Sequence, residues 1–291
     1  MNYYNEIDPY AAKWIGNLAN AGVIPSGHID TRSILHVEAP RPEFSQAHFF
    51  AGIGGWAEAL RLAGWPDDVP VWTGSCPCQP FSVAGKGKGE KDERHLWPVF
   101  RDLIGVRRPP VVFGEQVASP AGRKWLAGVR SDLEGLGYRF GSADLCAAGV
   151  AAPHIRQRLY WVADTDQAGR ELIRSRNDQD RGHASGDDLD GRRQACRMGE
   201  PSGPGLEERA RGQDGRGAVR DEGKAAGARG SWSDFYLVAC TDGKTRRVGS
   251  GVFPLAHGVS DRVGKLRAYG NAIVPEVAAT FIKAYIGTFR R

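Results

Sequence analysis

At 291 residues, with a formal charge of +5 and a pI near 9.0, the chain is long enough to bury a substantial core, and one main domain with an appendage is expected. No apolar run approaches bilayer-crossing length, and the opening Met1-Asn2-Tyr3-Tyr4-Asn5-Glu6 lacks a basic region followed by an apolar one, which argues against a spanning helix or a leader and for the cytoplasm. Five cysteines of irregular spacing argue against a disulfide framework, Cys76 and Cys78 stand too isolated for a zinc site, and the basic balance permits a polyanionic partner without identifying one.

A short strand is expected near Met1 to Asn5. Asp8 then caps a helix with Pro9 at its first position, and Ala11, Trp14, Ile15 and Leu18 share one face before Gly22 stops it. A strand around His28 follows, and another ends at Phe49 and Phe50. Trp56, Ala59, Leu60 and Ala63 trace a second helix that closes at Gly64, and Val69 to Thr73 reads as a strand leading into Pro77-Cys78. Further on, Pro109-Pro110 precede a buried-strand run, Val111 to Phe113, that delivers Glu115 at its carboxyl end. Trp125, Leu126, Val129, Leu133 and Leu136 face one side of a helix ended by Gly137, with strands near Ser142 to Cys146 and Leu159 to Ala163 beyond it. Strands alternating with helices indicate an α/β layered sheet. Asp164 to Gly230 contains no Phe, Trp or Tyr and few aliphatic residues, the composition of a disordered stretch or loose insertion. Order is expected to resume near Trp232, with a strand at Phe235 to Ala239, a turn at Asp242-Gly243, and a closing helix after Pro275 with Val277, Ala278, Phe281, Ile282 and Tyr285 on one face.

Within this frame, Phe50-Ala51-Gly52-Ile53-Gly54-Gly55 lies between a strand and a helix, where glycines let a ligand approach the backbone and the helix amides favour negative charge. Taken alone, the string fits a nucleotide-like cofactor or an ordinary strand-to-helix turn. Glu6 and Asp30 end neighbouring strands, where an acid accepts from ribose hydroxyls or merely caps a helix. Pro77-Cys78-Gln79-Pro80-Phe81-Ser82 is more telling, because a thiol on a proline-flanked turn at a strand edge faces a cleft and is well suited to add to an electron-poor ring carbon. The following Gly85-Lys86-Gly87-Lys88-Gly89 is either a phosphate-contacting loop or a solvated one.

Together with Glu115-Gln116-Val117, Pro153-His154-Ile155-Arg156-Gln157-Arg158 and Gly270-Asn271-Ala272-Ile273-Val274-Pro275, these strings resemble the DNA (cytosine-5)-methyltransferases over roughly Met1 to Ala163 and Arg267 to Arg291. The resemblance implies a Rossmann-like, class I S-adenosylmethionine-dependent methyltransferase sheet. It implies Cys78 as nucleophile on carbon-6 of a flipped cytosine, Glu115 on the ring's N3 and amino edge, and Arg156 and Arg158 as a pair that orders the pocket and contacts the base. Phe50, Gly52, Ile53, Gly54, Gly55, Glu6, Ile7, Asp30, Pro77 and Asn271 would surround S-adenosylmethionine, while Gln79, Ser82, Lys86, Lys88 and Arg94 would touch double-stranded DNA. No metal is implied, and a monomer is expected. Residues 1–163 would form the catalytic and cofactor-binding domain, 164–253 a small, irregular target-recognition region, and 254–291 a segment returning to the catalytic domain. The family further implies a restriction-modification or phage self-protection role.

The chain departs from the family pattern in four places. Gln116 replaces the usual Asn after the catalytic Glu, His154 replaces a Gln, and Ile7 stands where an aromatic often packs on adenine. The fourth departure is order: the acids at Glu6 and Asp30 precede the glycine loop, whereas in the family they follow it. A circular permutation explains both the early acids and the short interval between Gly55 and Pro77, because cofactor contacts depend on which strand edges are adjacent in space. Two alternatives stay open on sequence alone: a catalytically impaired DNA-binding relative, and a C5-pyrimidine transferase acting on RNA or a nucleotide.

Overall fold

A computed structural model describes residues 1–77, 96–152, 154–165 and 270–288, and the backbone of 235–239 and 245–249. The chain divides into two compact units, Met1–Arg176 with Phe253–Arg291, and Asn177–Val252. Within the second unit, Phe235–Ala239 and Thr245–Gly249 pair antiparallel as a hairpin. The expected turn at Asp242-Gly243 and the Asp164 to Gly230 stretch, apart from Asp164 and Thr165, lie outside the described residues.

The first unit is built on a seven-stranded mixed sheet. Its strands, in chain order, are β1 (Asn2–Asn5), β2 (Gly27–Asp30), β3 (Gln46–Phe49), β4 (Val71–Gly74), β5 (Val111–Val117), β6 (Arg139–Cys146) and β7 (Gln157–Asp164). In space they run β2-β1-β3-β4-β5-β7-β6. The first five are parallel, and β7 inserts antiparallel between β5 and β6. This is the mixed sheet expected from the resemblance, and its strand adjacency is the one the permuted order requires. The amino-terminal strand β1 lies between β2 and β3, with Asn5 opposite both Asp30 and Phe49, so Glu6 follows the strand beside the one that enters the glycine loop, and Asp30 ends the next strand out.

Successive side chains of a strand point to opposite faces, and β1 shows why the sheet has two cores. Tyr3 packs with Phe49, Trp72, Phe100, Trp125 and Trp161, beneath α3 (Trp97–Arg107) and α4 (Pro120–Gly135). Tyr4 joins Ile15, Ile24 and Ala57 beneath α1 (Pro9–Asn20) and α2 (Gly55–Ala63). The closing helix α5 (Pro275–Gly287) packs on α2, and its Phe281 and Tyr285 rings meet Phe113 edge-on.

Several expectations needed correction. β5 continues through Val117, so Glu115 lies within the strand rather than at its end. β6 and β7 each begin earlier than expected because they pair along eight residues, a cross-strand gain that local sequence does not reveal. Helix α3 was not anticipated, although Trp97, Phe100, Leu103 and Ile104 are all buried; Pro98 looks like a breaker but is tolerated in a first turn.

One core group gives the fold a pH dependence. His48 of β3 is buried, pairs through Nδ1 with Thr73 Oγ1 at 2.8 Å and stacks on Tyr4. Burial pushes its pKa down to about 3. Unfolded chains protonate His near 6.5, so the contribution is full above that pH and falls by about 1.4 kcal/mol per pH unit as pH drops toward 3. Urea unfolding of His48→Asn between pH 4 and 7 should show a pH slope about one proton shallower than the parent; an identical slope would refute this assignment.

Candidate active site

The glycine loop is shaped by backbone that only certain residues adopt easily. Phe50 turns out of β3 at φ 51°, and Gly54 caps α2 at φ 86°, a left-handed conformation that strains a side chain. Glu6, the first residue beyond β1, reaches this loop directly: Oε2 accepts from Gly52 N at 2.6 Å and Oε1 accepts from Asp8 N at 2.8 Å. The strand β1 therefore delivers a carboxylate to the glycine turn. Ile53 is half-buried. Ile7, beside Glu6, is 62% exposed, leaving apolar surface where the resemblance implies adenine packing.

Asp30 is close by in the sheet but differently engaged. Its carboxylate accepts from Tyr3 Oη at 2.9 Å, from the Arg32 backbone N–H at 3.0 Å, and from the Arg32 guanidinium at 2.7 Å through Nη2. The Arg32 hydrogen bonds hold it well below the usual carboxylate range despite burial. Sequence reasoning missed both partners, since Tyr3 belongs to the neighbouring strand.

At the next strand edges, β4 leads through Ser75 and Cys76 to Pro77, the last described residue before Cys78. Cys78, Gln79, Ser82, Lys86, Lys88 and Arg94 lie outside the described residues. Glu115 on β5 is buried. Its Oε1 lies 2.8 Å from Arg158 Nε, and Ser75 also hydrogen-bonds to it. Burial pushes the Glu115 carboxyl up, against the opposing pull of Arg158 and then Arg156. Trp56, in the first turn of α2, donates to Ser75 Oγ at 3.0 Å, so a hydrogen-bonded path joins the glycine-loop helix to Glu115. Neither Trp56 nor Ser75 carried a sequence signal for this.

Gln116 shows what its extra methylene does. Its Nε2 donates to the Cys76 carbonyl at 3.2 Å and its Oε1 accepts from Val117 N at 2.9 Å, which anchors the approach to Pro77-Cys78. His154 and Ile155 are exposed, whereas Arg156 reaches across to the carbonyls of Gly270 and Ala272. Asn271 lies between those two residues and is exposed. Among the described residues, then, one end of the sheet gathers Glu6, the glycine loop, Pro77, Glu115, both arginines and the Asn271 segment.

Part of the chain is similar to known proteins. Residues 64–182 match the family described as C-5 cytosine-specific DNA methylase. The Type II methyltransferase M.AplI of Arthrospira platensis is 36% identical over 104 residues, covering 35% of this chain and 29% of its own length. The Type II methyltransferase M.HhaI of Haemophilus parahaemolyticus is 35% identical over 101 residues, covering 33% and 30%. The matched stretch thus spans less than a third of either relative. Among solved structures, the Entamoeba histolytica methyltransferase EhMeth aligns with a TM-score of 0.39 at 16% identity, covering 57% of this chain and 45% of that one. Residues 64–182, from the end of α2 past the far edge of the sheet, are thus similar to the C-5 cytosine-specific DNA methylase family.

Proposed function

We propose that the chain is a DNA (cytosine-5)-methyltransferase of the type II modification kind, acting on a cytosine flipped out of double-stranded DNA. The observation that carries this reading is Glu115: a buried carboxyl, raised by desolvation and braced by Arg158 and Ser75, on the strand next to the one that leads into Pro77-Cys78. A carboxyl in that state suits holding the N3 and amino edge of a pyrimidine and protonating it as charge builds there.

The glycine loop, Glu6 and the Asn271 segment fit S-adenosylmethionine, which when bound supplies an electrophilic methyl on a sulfonium. Glu6 would accept from ribose hydroxyls, and the amide end of α2 would face the polar tail. Asp30, its oxygens engaged by Tyr3 and Arg32, would act at the adenine side through Arg32. Cys78 would add its sulfur to carbon-6, passing electron density to carbon-5; carbon-5 then takes the methyl, loses its proton, and the carbon–sulfur bond to Cys78 breaks as the double bond re-forms. Because carbon-6 is inaccessible in a stacked duplex, the base must leave the helix, at a cost of roughly a few kcal/mol. Lys86, Lys88 and Arg94 would supply phosphate contacts that weaken with salt.

Incubating the chain with methyl-tritiated cofactor and either unmethylated bacterial genomic DNA or total RNA tests the proposal. Label in DNA, stopped by Cys78→Ser, is the expected result. Label in RNA alone would shift the substrate class, and DNA binding without transfer would identify an inactive relative.

A further inference from the structure

We infer that Arg156 is a positioning residue that clamps residues 270–274 against the glycine loop, so that the carboxyl pocket and the cofactor loop assemble together. This inference rests on the function proposed above and gives one member of the arginine pair a role away from the base.

Arg156 and Arg158 stand two residues apart where the chain enters β7, yet they grip different partners. Arg158 meets Glu115. Arg156 Nη2 donates to Gly270 O at 2.9 Å and to Ala272 O at 2.6 Å. Two carbonyls converging on one cationic nitrogen form charge-assisted hydrogen bonds, stronger than neutral ones. Arg156 Nε is buried and meets no hydrogen-bond partner among the described residues, so the carbonyl contacts are what orient the side chain. Its own carbonyl accepts from Ala147 N at 3.1 Å, which ties down the loop that carries it.

On the other side of the clamp, Ile273 is buried against Gly55, where an added Cβ would fall 2.8 Å from Ile273 Cγ1. Gly55 opens α2 directly after the Gly54 cap, and Gly52 is held by Glu6. Packed contacts therefore run from Glu6 through the glycine loop to Ile273, across Ala272 to Arg156, and along the chain to Arg158 and Glu115. Releasing the guanidinium frees residues 270–274 first, and with them the support of the loop at Gly55. A residue whose main contact was the base would leave this support intact.

Amide hydrogen exchange, without DNA, and calorimetric binding of S-adenosylhomocysteine should be compared for the parent, Arg156→Gln, Arg156→Lys and Arg158→Gln. In Arg156→Gln, protection of residues 270–274 and 52–55 should fall about tenfold and the cofactor-product Kd rise about tenfold, each about 1.4 kcal/mol. Arg158→Gln should leave both within about twofold, and Arg156→Lys should fall between, since an ammonium keeps charge but lacks the guanidinium's fixed geometry. Unchanged exchange at both segments in Arg156→Gln would overturn the clamp. If that variant fails to fold, Arg156→Lys decides the matter by the same two segments. A parent that binds no S-adenosylhomocysteine would defeat the functional reading, while the exchange measurement would still judge the clamp.

Discussion

Glu115→Gln is expected to lower kcat for methyl transfer roughly 10²–10⁴-fold, the span typical of removing a positioned general acid, while S-adenosylhomocysteine affinity stays within about threefold of the parent. The amide keeps the size of the side chain and one acceptor for Ser75 and Arg158, but it has no acidic proton to give the ring nitrogen. It also removes the negative charge available to Arg158, so the guanidinium left in the pocket loses its ion pair. The parent should show a matching pH signature. Burial raises the Glu115 carboxyl, so the protonated, active form persists above the normal carboxylate range, and activity should fall as pH rises through the elevated value. That limb should vanish in the variant. Equal kcat in the two proteins would remove Glu115 from the chemistry.

The second large effect belongs to the cofactor side. Glu6→Ala should weaken S-adenosylhomocysteine binding about 100-fold, or about 2.7 kcal/mol. Two losses combine: Gly52 N and Asp8 N lose their acceptors, and on the proposed reading the ribose hydroxyls lose theirs. The fold should survive, since Glu6 lies outside β1 and the pairing of Asn2–Asn5 with β2 and β3 is carried by backbone. Titration calorimetry of the variant against the parent measures this, and an unchanged Kd would place the cofactor away from the amino-terminal strand.

Much of this arrangement was legible before any coordinates. Asp8 does cap its helix, accepting from Tyr10 N at 2.9 Å and Ala11 N at 3.0 Å, because an acid followed by proline and an apolar face is a local signal. The permuted order was legible through the family resemblance, because Glu6 and Asp30 look like cofactor acids that in the family follow the glycine string and here precede it. Interactions between distant segments were not legible. Nothing near Arg156 indicates that its partners are the carbonyls of Gly270 and Ala272, since any backbone carbonyl offers the same acceptor. Asp30 reads in sequence as an available acid, yet Tyr3 and Arg32 take up its oxygens. Gln116 reads in sequence as a departure from the family's Asn, and only the structure shows its longer side chain spanning to the Cys76 carbonyl. In each case a side chain's residue type was readable, while its direction depended on packing against elements far along the chain.

Nucleoside mass spectrometry of DNA from cells expressing the chain, beside cells expressing Cys78→Ser, tests the account most directly. New 5-methylcytosine in the first and none in the second is the expected result. DNA left unmodified by a folded chain that binds S-adenosylmethionine would contradict it.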